Sequence, residues 1–451
     1  MSCAPAYAPT IRWPAPSQLI TALRALTLPL TIGKRYSDGA LQRDPTHSAT
    51  APSGTAGELS QLFLRLGFTA FGGPAAHIAL LKDEVVRRKQ WMTESEFLDM
   101  LGATNLIPGP SSTEMAILIG YRRYGWRGLL IGGLCFLLPA AFMVCGFAWA
   151  YVKFGSLPAV AGMLYGVKPV IIAVIAQAIY GLFRSAVKTP FLAVLGACVL
   201  VLALLHVDIL FVLLGAGVLV ASLHWATPPE AGQTRPPVRS LLWMLVVAGA
   251  MVTLPIVMAH LSAGAAPADA GAPGVPYSTA RLFMFFLKVG SVLYGGGYVL
   301  VAFLRDGLVG QWHWLTNAQL LDATAVGQFT PGPLFTTATF IGYLLGGPLG
   351  AVAATVGIFL PSFVFVALIG PFVPRLRSSP LMASFLDGVN VAALALMAAV
   401  TLDLGRAAIV DWTTAGLALV SAVILLRYRI SSAWLILGAA ACGVVSAVFR
   451  F

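Results

Sequence analysis

The sequence predicts an all-α, polytopic membrane protein built from two inverted structural repeats with broken or re-entrant helices. Hydrophobic residues make up 58% of the 451 residues and charged residues only 10%, whereas soluble domains carry roughly 25% charged residues. Apolar segments of about 18 to 25 residues recur, long enough to cross a hydrocarbon core about 30 Å thick. The other two observations are an internal duplication and helix breaks at matching positions of both copies. The composition excludes a soluble globular protein.

The duplication covers nearly all of the chain after residue 57. A shift of 223 residues aligns 62–110 with 285–333, and after one deleted residue the match continues at a shift of 222. Repeated membrane units with Gly/Pro-interrupted segments at matching positions are typical of secondary transporters. Four segments are predicted: a cytoplasmic, disordered tail at 1–57, a first repeat at 58–226, a linker at 227–281 with one connecting transmembrane helix (241–263), and a second, inverted repeat at 282–451.

The inversion is predicted from the positions of the 28 Lys and Arg residues. In one arrangement, four segments are broken hairpins that return to the side of the membrane from which they entered. These segments are 60–81, 97–120 and their partners at 282–304 and 319–342. Twenty cationic residues then lie on one face, five on the other and three within the membrane, against 17 and eight if the four segments span fully. Cytoplasmic loops are rich in Lys and Arg, which favours the hairpins, and the net charge of +11 is attributed to this bias. Both arrangements make the copies antiparallel.

Each copy is broken twice. The first break contains Gly72-Gly73 in one copy and Gly295-Gly296 in the other, and the second is Pro108-Gly109-Pro110 or Pro331-Gly332-Pro333. Proline removes an N–H donor and glycine relaxes the backbone, so these segments are not continuous helices. Irregular backbone at membrane depth is tolerated where it is buried in protein or lines a cavity, and a new helix N-terminus there favours an anion. The breaks predict an anion site, and packing kinks are the alternative interpretation.

Polar side chains flank the second break in both copies. Hydroxyl and amide groups are suitable donors to the oxygens of an oxyanion, although Ser111 and Glu114 also fit the S-x-x-E pattern of a capping box. The predicted anion-binding residues are Arg65, Gly72, Gly73, Asn105, Pro108, Gly109, Pro110, Ser111, Ser112, Lys168, Lys288, Gly295, Gly296, Gln328, Pro331, Gly332, Pro333 and Thr336.

Ionisable residues inside the membrane are functional candidates because their burial is costly. Arg65 and Lys288 occupy equivalent positions seven residues before the first glycine of the first breaks, and snorkelling to the interface is their alternative interpretation. Three residues are candidates for proton coupling: Glu114, Asp387 and His77, the last of which also fits a hydrogen-bonded structural histidine. The five cysteines have no CxxC spacing, and we expect no metal or cofactor.

With these residues in hand, the sequence resembles the chromate transporter family, in its long-chain form with two homologous halves. The resemblance rests on FGGP at 71–74 and N-x-x-PGP at 105–110, with degenerate versions at 294–297 and 328–333. It implies secondary transport of chromate out of the bacterial cytoplasm across the inner membrane, and hence chromate resistance. The expected partners are chromate or a similar oxyanion and membrane lipid, without nucleic acid; a homo-oligomer is compatible with the sequence. The spacing of the residues alone indicates only an anion.

Several alternatives stay open at this point. They are transport of sulfate or another oxyanion, a passive anion channel, and a membrane enzyme that reduces chromate. The chain has no GxxxxGK[ST] motif and no haem, flavin or thiol-pair motif, so we expect neither an ATP-driven pump nor an enzyme. A dianion leaving a cell through 100 mV gains about 4.6 kcal/mol. Efflux therefore does not require proton coupling.

Overall fold

A computed structural model describes residues 55–71, 73–155, 157–205, 207–226, 275–294, 297–369, 380–428 and 432–449. The described residues belong to one compact unit, and its regular elements are all helical. Most of the predicted tail, the predicted connecting helix at 241–263, and Gly72, Gly295 and Gly296 lie outside the described residues.

Within the described residues, the two repeats contain the same seven α-helices in the same order. The first repeat has α1 (Ala56–Thr69), α2 (Gly73–Lys82), α3 (Glu94–Thr104), α4 (Ser111–Phe154), α5 (Pro158–Ala186), α6 (Pro190–Leu204) and α7 (Ile209–Ala226). The second has α8 (Thr279–Val292), α9 (Val299–Leu304), α10 (Asn317–Phe329), α11 (Thr337–Ile369), α12 (Pro380–Ala408), α13 (Trp412–Tyr428) and α14 (Ser432–Phe449).

Short segments of other helix types extend this pattern in both repeats. Helices α2 and α9 continue into π-helical turns at Asp83–Arg88 and Arg305–Gln311, and a 3₁₀ turn at Leu334–Thr336 precedes α11. Among the described residues, five helical segments are long and apolar enough to cross a membrane: α4, α5, α7, α12 and Leu334–Leu368. The predicted all-α architecture with two repeats is confirmed.

Helices α4 and α11 each turn back on themselves at a glycine. Gly125 has φ +58° and Gly347 has φ +62°, a left-handed conformation that costs glycine little. Eight residues apart, Gly120 and Gly128 then pack backbone to backbone. The first part of α4 is therefore a short helix that folds back against the long second part, and α11 repeats this arrangement.

The broken segments also fold back, as the hairpin interpretation predicts. Arg65 on α1 and Glu84 after α2 form an ion pair of 2.6 Å, although a straight helix would separate them by about 28 Å. Beyond the next break, Arg122 on α4 pairs with Glu96 on α3. Both broken segments of the first repeat therefore return alongside the helix that precedes the break.

One large hydrophobic core contains helices of both repeats, and a second, smaller core lies among α1 to α4 of the first repeat. Helix α5 of the first repeat packs against α13 and α14 of the second, and α12 packs against α6 and α7 in return. Close backbone contacts make this packing tight, because Gly166 approaches the carbonyl of Ala439 and Gly388 approaches that of Ala216. The two Pro-Gly-Pro breaks and the ends of α1 and α8 also lie at the contact between the repeats.

Candidate functional site

The Pro-Gly-Pro break of each repeat is bonded to the end of the first helix of the other repeat. Gly109 donates its N–H to the carbonyl of Leu293, where α8 ends, and Gly332 donates to the carbonyl of Ala70, where α1 ends; both bonds are 2.9 Å. These two pairs are equivalent in the duplication. The reciprocal bonds bring the predicted breaks of both repeats together at one place.

Both glycines are required by conformation and by space. Gly109 has φ +140° and Gly332 has φ +96°, which residues with a Cβ rarely adopt. A Cβ on Gly109 would overlap the side chains of Glu114 and Ser362, and a Cβ on Gly332 would overlap Ala140. The amides of these glycines therefore join the repeats instead of facing a ligand.

Helix α4 begins immediately after the first Pro-Gly-Pro break. Pro110 is its N-cap, and its carbonyl accepts from the N–H groups of Thr113 and Glu114 at 2.8 and 3.1 Å. The N–H groups of Ser111 and Ser112 have no hydrogen-bond partner among the described residues. The capping-box alternative is not formed, because Ser111 is already helical and the Glu114 carboxyl has no hydrogen-bond partner.

A set of buried polar groups surrounds this helix start, and we call it the first half-site: Gly109, Thr113, Glu114, Tyr294 and Ser362. Glu114 is 0% exposed. The hydroxyls of Thr113 and Ser362 and both carboxyl oxygens of Glu114 lack hydrogen-bond partners in the described structure. The Ser362 hydroxyl lies beside the Glu114 carboxyl but outside hydrogen-bond geometry, and the Tyr294 phenol lies nearby. Buried polar groups are normally satisfied, so this concentration indicates a ligand site.

The second half-site consists of Tyr298, Gln328, Gly332, Thr336 and Thr337. The Tyr298 hydroxyl donates to Oε1 of Gln328 at 3.4 Å, and the Thr336 hydroxyl donates to the carbonyl of Pro333 at 2.9 Å. Nε2 of Gln328 and Oγ1 of Thr337 are buried without partners among the described residues. By contrast Asn105, the equivalent of Gln328, is exposed at the end of α3.

A buried ion pair lies between the repeats. Nζ of Lys168 is 3.4 Å from Oδ1 of Asp322, and the Tyr151 hydroxyl donates to Oδ2 of Asp322 at 2.9 Å. The predicted anion ligand Lys168 therefore already has a carboxylate partner. Sequence reasoning did not include Asp322 in the site; its position inside the broken segment 319–342, next to leucines and alanines, was the available signal.

The two equivalent cations have different environments. Arg65 pairs with the buried carboxylate of Glu84, and its own side chain is 51% exposed. Lys288 is half-buried and forms no ion pair with any described residue. The residue equivalent to Glu84 is Gly307, whose side-chain space is filled by the ring of Phe285. Their assignment to anion binding stays a prediction, and Lys288 is the cation without a counter-ion.

The structure gives two proton-coupling candidates other partners. Nε2 of His77 bonds to the carbonyl of Ala70 at 2.9 Å, and Nδ1 lies 3.4 Å from the Ser112 hydroxyl. His77 thus joins α2, α4 and the end of α1. Asp387 pairs with Lys188 at 2.6 Å, in the connection between α5 and α6. Glu114 is the candidate that lies at the breaks.

Comparisons with known proteins agree with this duplication. The model of a family described as "Chromate transporter" matches residues 57–221 and 280–444, one match for each repeat. A "Chromate transport protein" from Cupriavidus metallidurans is 34% identical over 403 residues, which cover 88% of this chain and 94% of that protein. One of the same description from Pseudomonas aeruginosa is 30% identical, covering 80% and 84%. No solved structure matches the chain.

Proposed function

Since this chain belongs to the chromate transporter family, we propose that it exports chromate from the bacterial cytoplasm by secondary transport and thereby confers chromate resistance. The proposed location is the inner membrane, with the N-terminus cytoplasmic and the C-terminus periplasmic. The observation that carries the proposal is the pair of reciprocal bonds that the two Pro-Gly-Pro breaks make between the repeats, beside buried polar groups that lack partners among the described residues.

Chromate is a tetrahedral oxyanion, and all its oxygens accept hydrogen bonds. The two half-sites supply donors of the required kinds, and the start of α4 adds the positive end of a helix dipole. Cations complete the charge balance, with Lys288 favoured because it has no counter-ion among the described residues. The donors are the N–H groups of Ser111 and Ser112, the hydroxyls of Thr113, Thr337 and Ser362, and the amide of Gln328.

The inverted repeats provide a route for alternating access. Repeats of this kind exchange conformations by rocking against each other around a fixed central site. Here, the bonds from Gly109 to Leu293 and from Gly332 to Ala70 lie at that contact and are equivalent, so the inward and outward states can interchange their geometries. Export is driven by the membrane potential, since each negative charge that leaves through 100 mV gains about 2.3 kcal/mol.

Transport by the purified protein in liposomes tests this proposal. Total chromium and chromate absorbance are measured together, because transport moves both and reduction lowers only the absorbance. We expect saturable chromate flux with conserved absorbance. A linear, non-saturating flux would favour the channel alternative, and flux of sulfate with equal efficiency would favour a general oxyanion transporter.

A further inference from the structure

Glu114 is the member of the first half-site that hydrogen-bond donation to an anion does not explain. Its carboxyl group is fully buried, and neither oxygen has a hydrogen bond or an ion pair among the described residues. An isolated carboxylate is strongly disfavoured in such a place, and an oxyanion beside it would add a like charge. Placing an ionised carboxylate and a fully deprotonated oxyanion in one buried site is therefore energetically unfavourable.

The neighbours of Glu114 do not neutralise it. Thr113 on the same helix, Ser362 on α11 and Tyr294 at the end of α8 offer hydroxyl groups. His77 on α2 is the other titratable group nearby, and its ring is occupied by the Ala70 carbonyl and the Ser112 hydroxyl. No Lys or Arg in the described part of the chain pairs with the carboxyl.

The second half-site has no equivalent group. The duplication places Thr336 or Thr337 opposite Glu114, because the one deleted residue lies between 110 and 119, and it places Ala140 opposite Ser362. The Thr336 hydroxyl bonds to the carbonyl of Pro333, and Ala140 offers only a methyl group. A titratable carboxyl is therefore a feature of one half-site and not a consequence of the fold.

Resting on the proposed function, we propose that the oxyanion is transported together with one proton, which lies between the Glu114 carboxyl and an oxygen of the anion. The proton enters from water on the side where the oxyanion binds and leaves with it. Glu114 begins and ends each cycle as a carboxylate open to water. It takes up the proton on the binding side, and on the release side its O–H bond breaks while the proton stays on the oxyanion. The transported unit carries one negative charge instead of two.

This arrangement makes Glu114 a specificity-determining residue. Chromate accepts a proton near neutral pH, whereas sulfate, which has nearly the same shape, does so only in strong acid. A hydrogen bond in which one partner is ionised is short and strong. A site that requires a shared proton therefore favours chromate over sulfate, which donors and cations alone would not achieve.

The charge of the transported unit can be measured with the full chain in liposomes. At equal alkaline pH on both sides, a tenfold chromate gradient should be balanced by about 59 mV if one charge moves and by about 29.6 mV if two move. We expect the one-charge value. With equal chromate on both sides, a pH difference of one unit should also drive chromate flux.

Variants of Glu114 test whether this residue holds the shared proton. Glu114→Gln should give the two-charge value, no response to the pH difference, and stronger competition by sulfate. Glu114→Asp keeps a carboxyl and should keep the one-charge value even if its flux is lower. Glu94→Gln, a matched change at an exposed carboxylate, should behave like the unaltered protein.

The possible failures are distinguishable. A two-charge value for the unaltered protein would overturn the shared proton and leave chromate transport standing. A one-charge value for Glu114→Gln would overturn the assignment to Glu114. The absence of chromate flux in the unaltered protein would overturn the proposed function, and this inference with it.

Discussion

In the described residues the two repeats share the order of their helices but differ in their polar side chains. Both turn at a glycine of positive φ in the fourth helix, and both send a Pro-Gly-Pro amide to the other repeat at 2.9 Å. Yet the buried carboxyl of Glu114 corresponds to a threonine, and the Arg65 partner Glu84 corresponds to a glycine. The buried Asp322 corresponds to Asp99, which is exposed.

This difference separates what the fold requires from what a ligand requires. Features present in both copies, such as the glycines at 109 and 332, are needed to build and join the repeats. Features in one copy, such as Glu114 and the pair of Lys168 with Asp322, are not needed for the fold, since the other copy forms without them. The single-copy polar residues are therefore the stronger candidates for function.

The largest expected difference between the repeats is their sidedness. In the hairpin arrangement the loop at 82–96 is cytoplasmic and the equivalent loop at 305–318 is periplasmic. In a cysteine-free protein, Lys89→Cys should resist an impermeant thiol reagent in intact spheroplasts and react after permeabilisation, whereas Gln311→Cys should react in both. The reverse pattern would show that the first two segments cross the membrane completely.

Substitution of the break glycines should affect both repeats alike. Gly109→Val and Gly332→Val each place a β-branched residue at positive φ where a Cβ already overlaps its neighbours. Strain and overpacking together cost about 2 to 6 kcal/mol. Chromate flux and thermal stability should both fall, whereas Gly146→Val, where a Cβ meets nothing within 4 Å, should be tolerated. Normal chromate transport by both variants would show that the breaks serve only helix packing.

The equivalent aspartates should differ in their effect on stability. Asp322→Asn leaves Lys168 without its carboxylate in a largely buried position, and breaking such a pair costs about 3 kcal/mol or more. Asp99→Asn changes an exposed position and should stay within about 0.5 kcal/mol. Thermal unfolding in detergent measures both. Equal effects would show that the buried pair of α5 and α10 does not stabilise the contact between the repeats.

The equivalent cations should differ in their effect on transport. Lys288→Gln removes a charge that has no partner in the described structure, so chromate flux should fall by about tenfold, equivalent to about 1.4 kcal/mol. Arg65→Gln removes a charge that is paired with Glu84, a carboxylate that Arg88 also contacts, and should reduce flux less. Arg65→Lys should restore only part of the chromate flux, because the lysine ammonium group lacks the planar set of N–H donors of the guanidinium group. Unchanged flux in both Gln variants would exclude these cations from the anion site.

The smallest expected difference concerns the capping boxes of α3 and α10. Hydrogen bonding to the Thr93 N–H and then to Arg122 lowers the pKa of Glu96, whereas the second repeat has the uncharged Gln319 at this position. Because the folded pKa is depressed, the stabilisation is present above the unfolded value and is lost as pH falls through the folded value. Since Glu96 is partly exposed, Glu96→Gln should cost only ~0.5 kcal/mol at neutral pH and nothing in acid. An equal cost at both pH values in thermal unfolding would contradict this.

The sequence by itself determined the membrane class, the duplication and the positions of the breaks. These follow from local causes: the length of apolar segments, the missing donor of proline, and the conformational freedom of Gly109 and Gly332. The same residues recur at a nearly fixed shift, so the two halves of one chain can be compared with each other. The resemblance to the transporter family rested on these motifs and is confirmed.

Only the tertiary structure decided which polar groups have partners. Glu114 and His77 were both intramembrane candidates, but the His77 ring is hydrogen-bonded, whereas the Glu114 carboxyl has no hydrogen-bond partner among the described residues. Lys168 forms an ion pair with Asp322 of the other repeat, and Arg65 forms one with Glu84, where the broken segment folds back. Pairings of this kind depend on contacts between residues far apart in the chain, and no local pattern encodes them. Burial and pairing, which set the energy of a charge, are therefore properties of the folded chain.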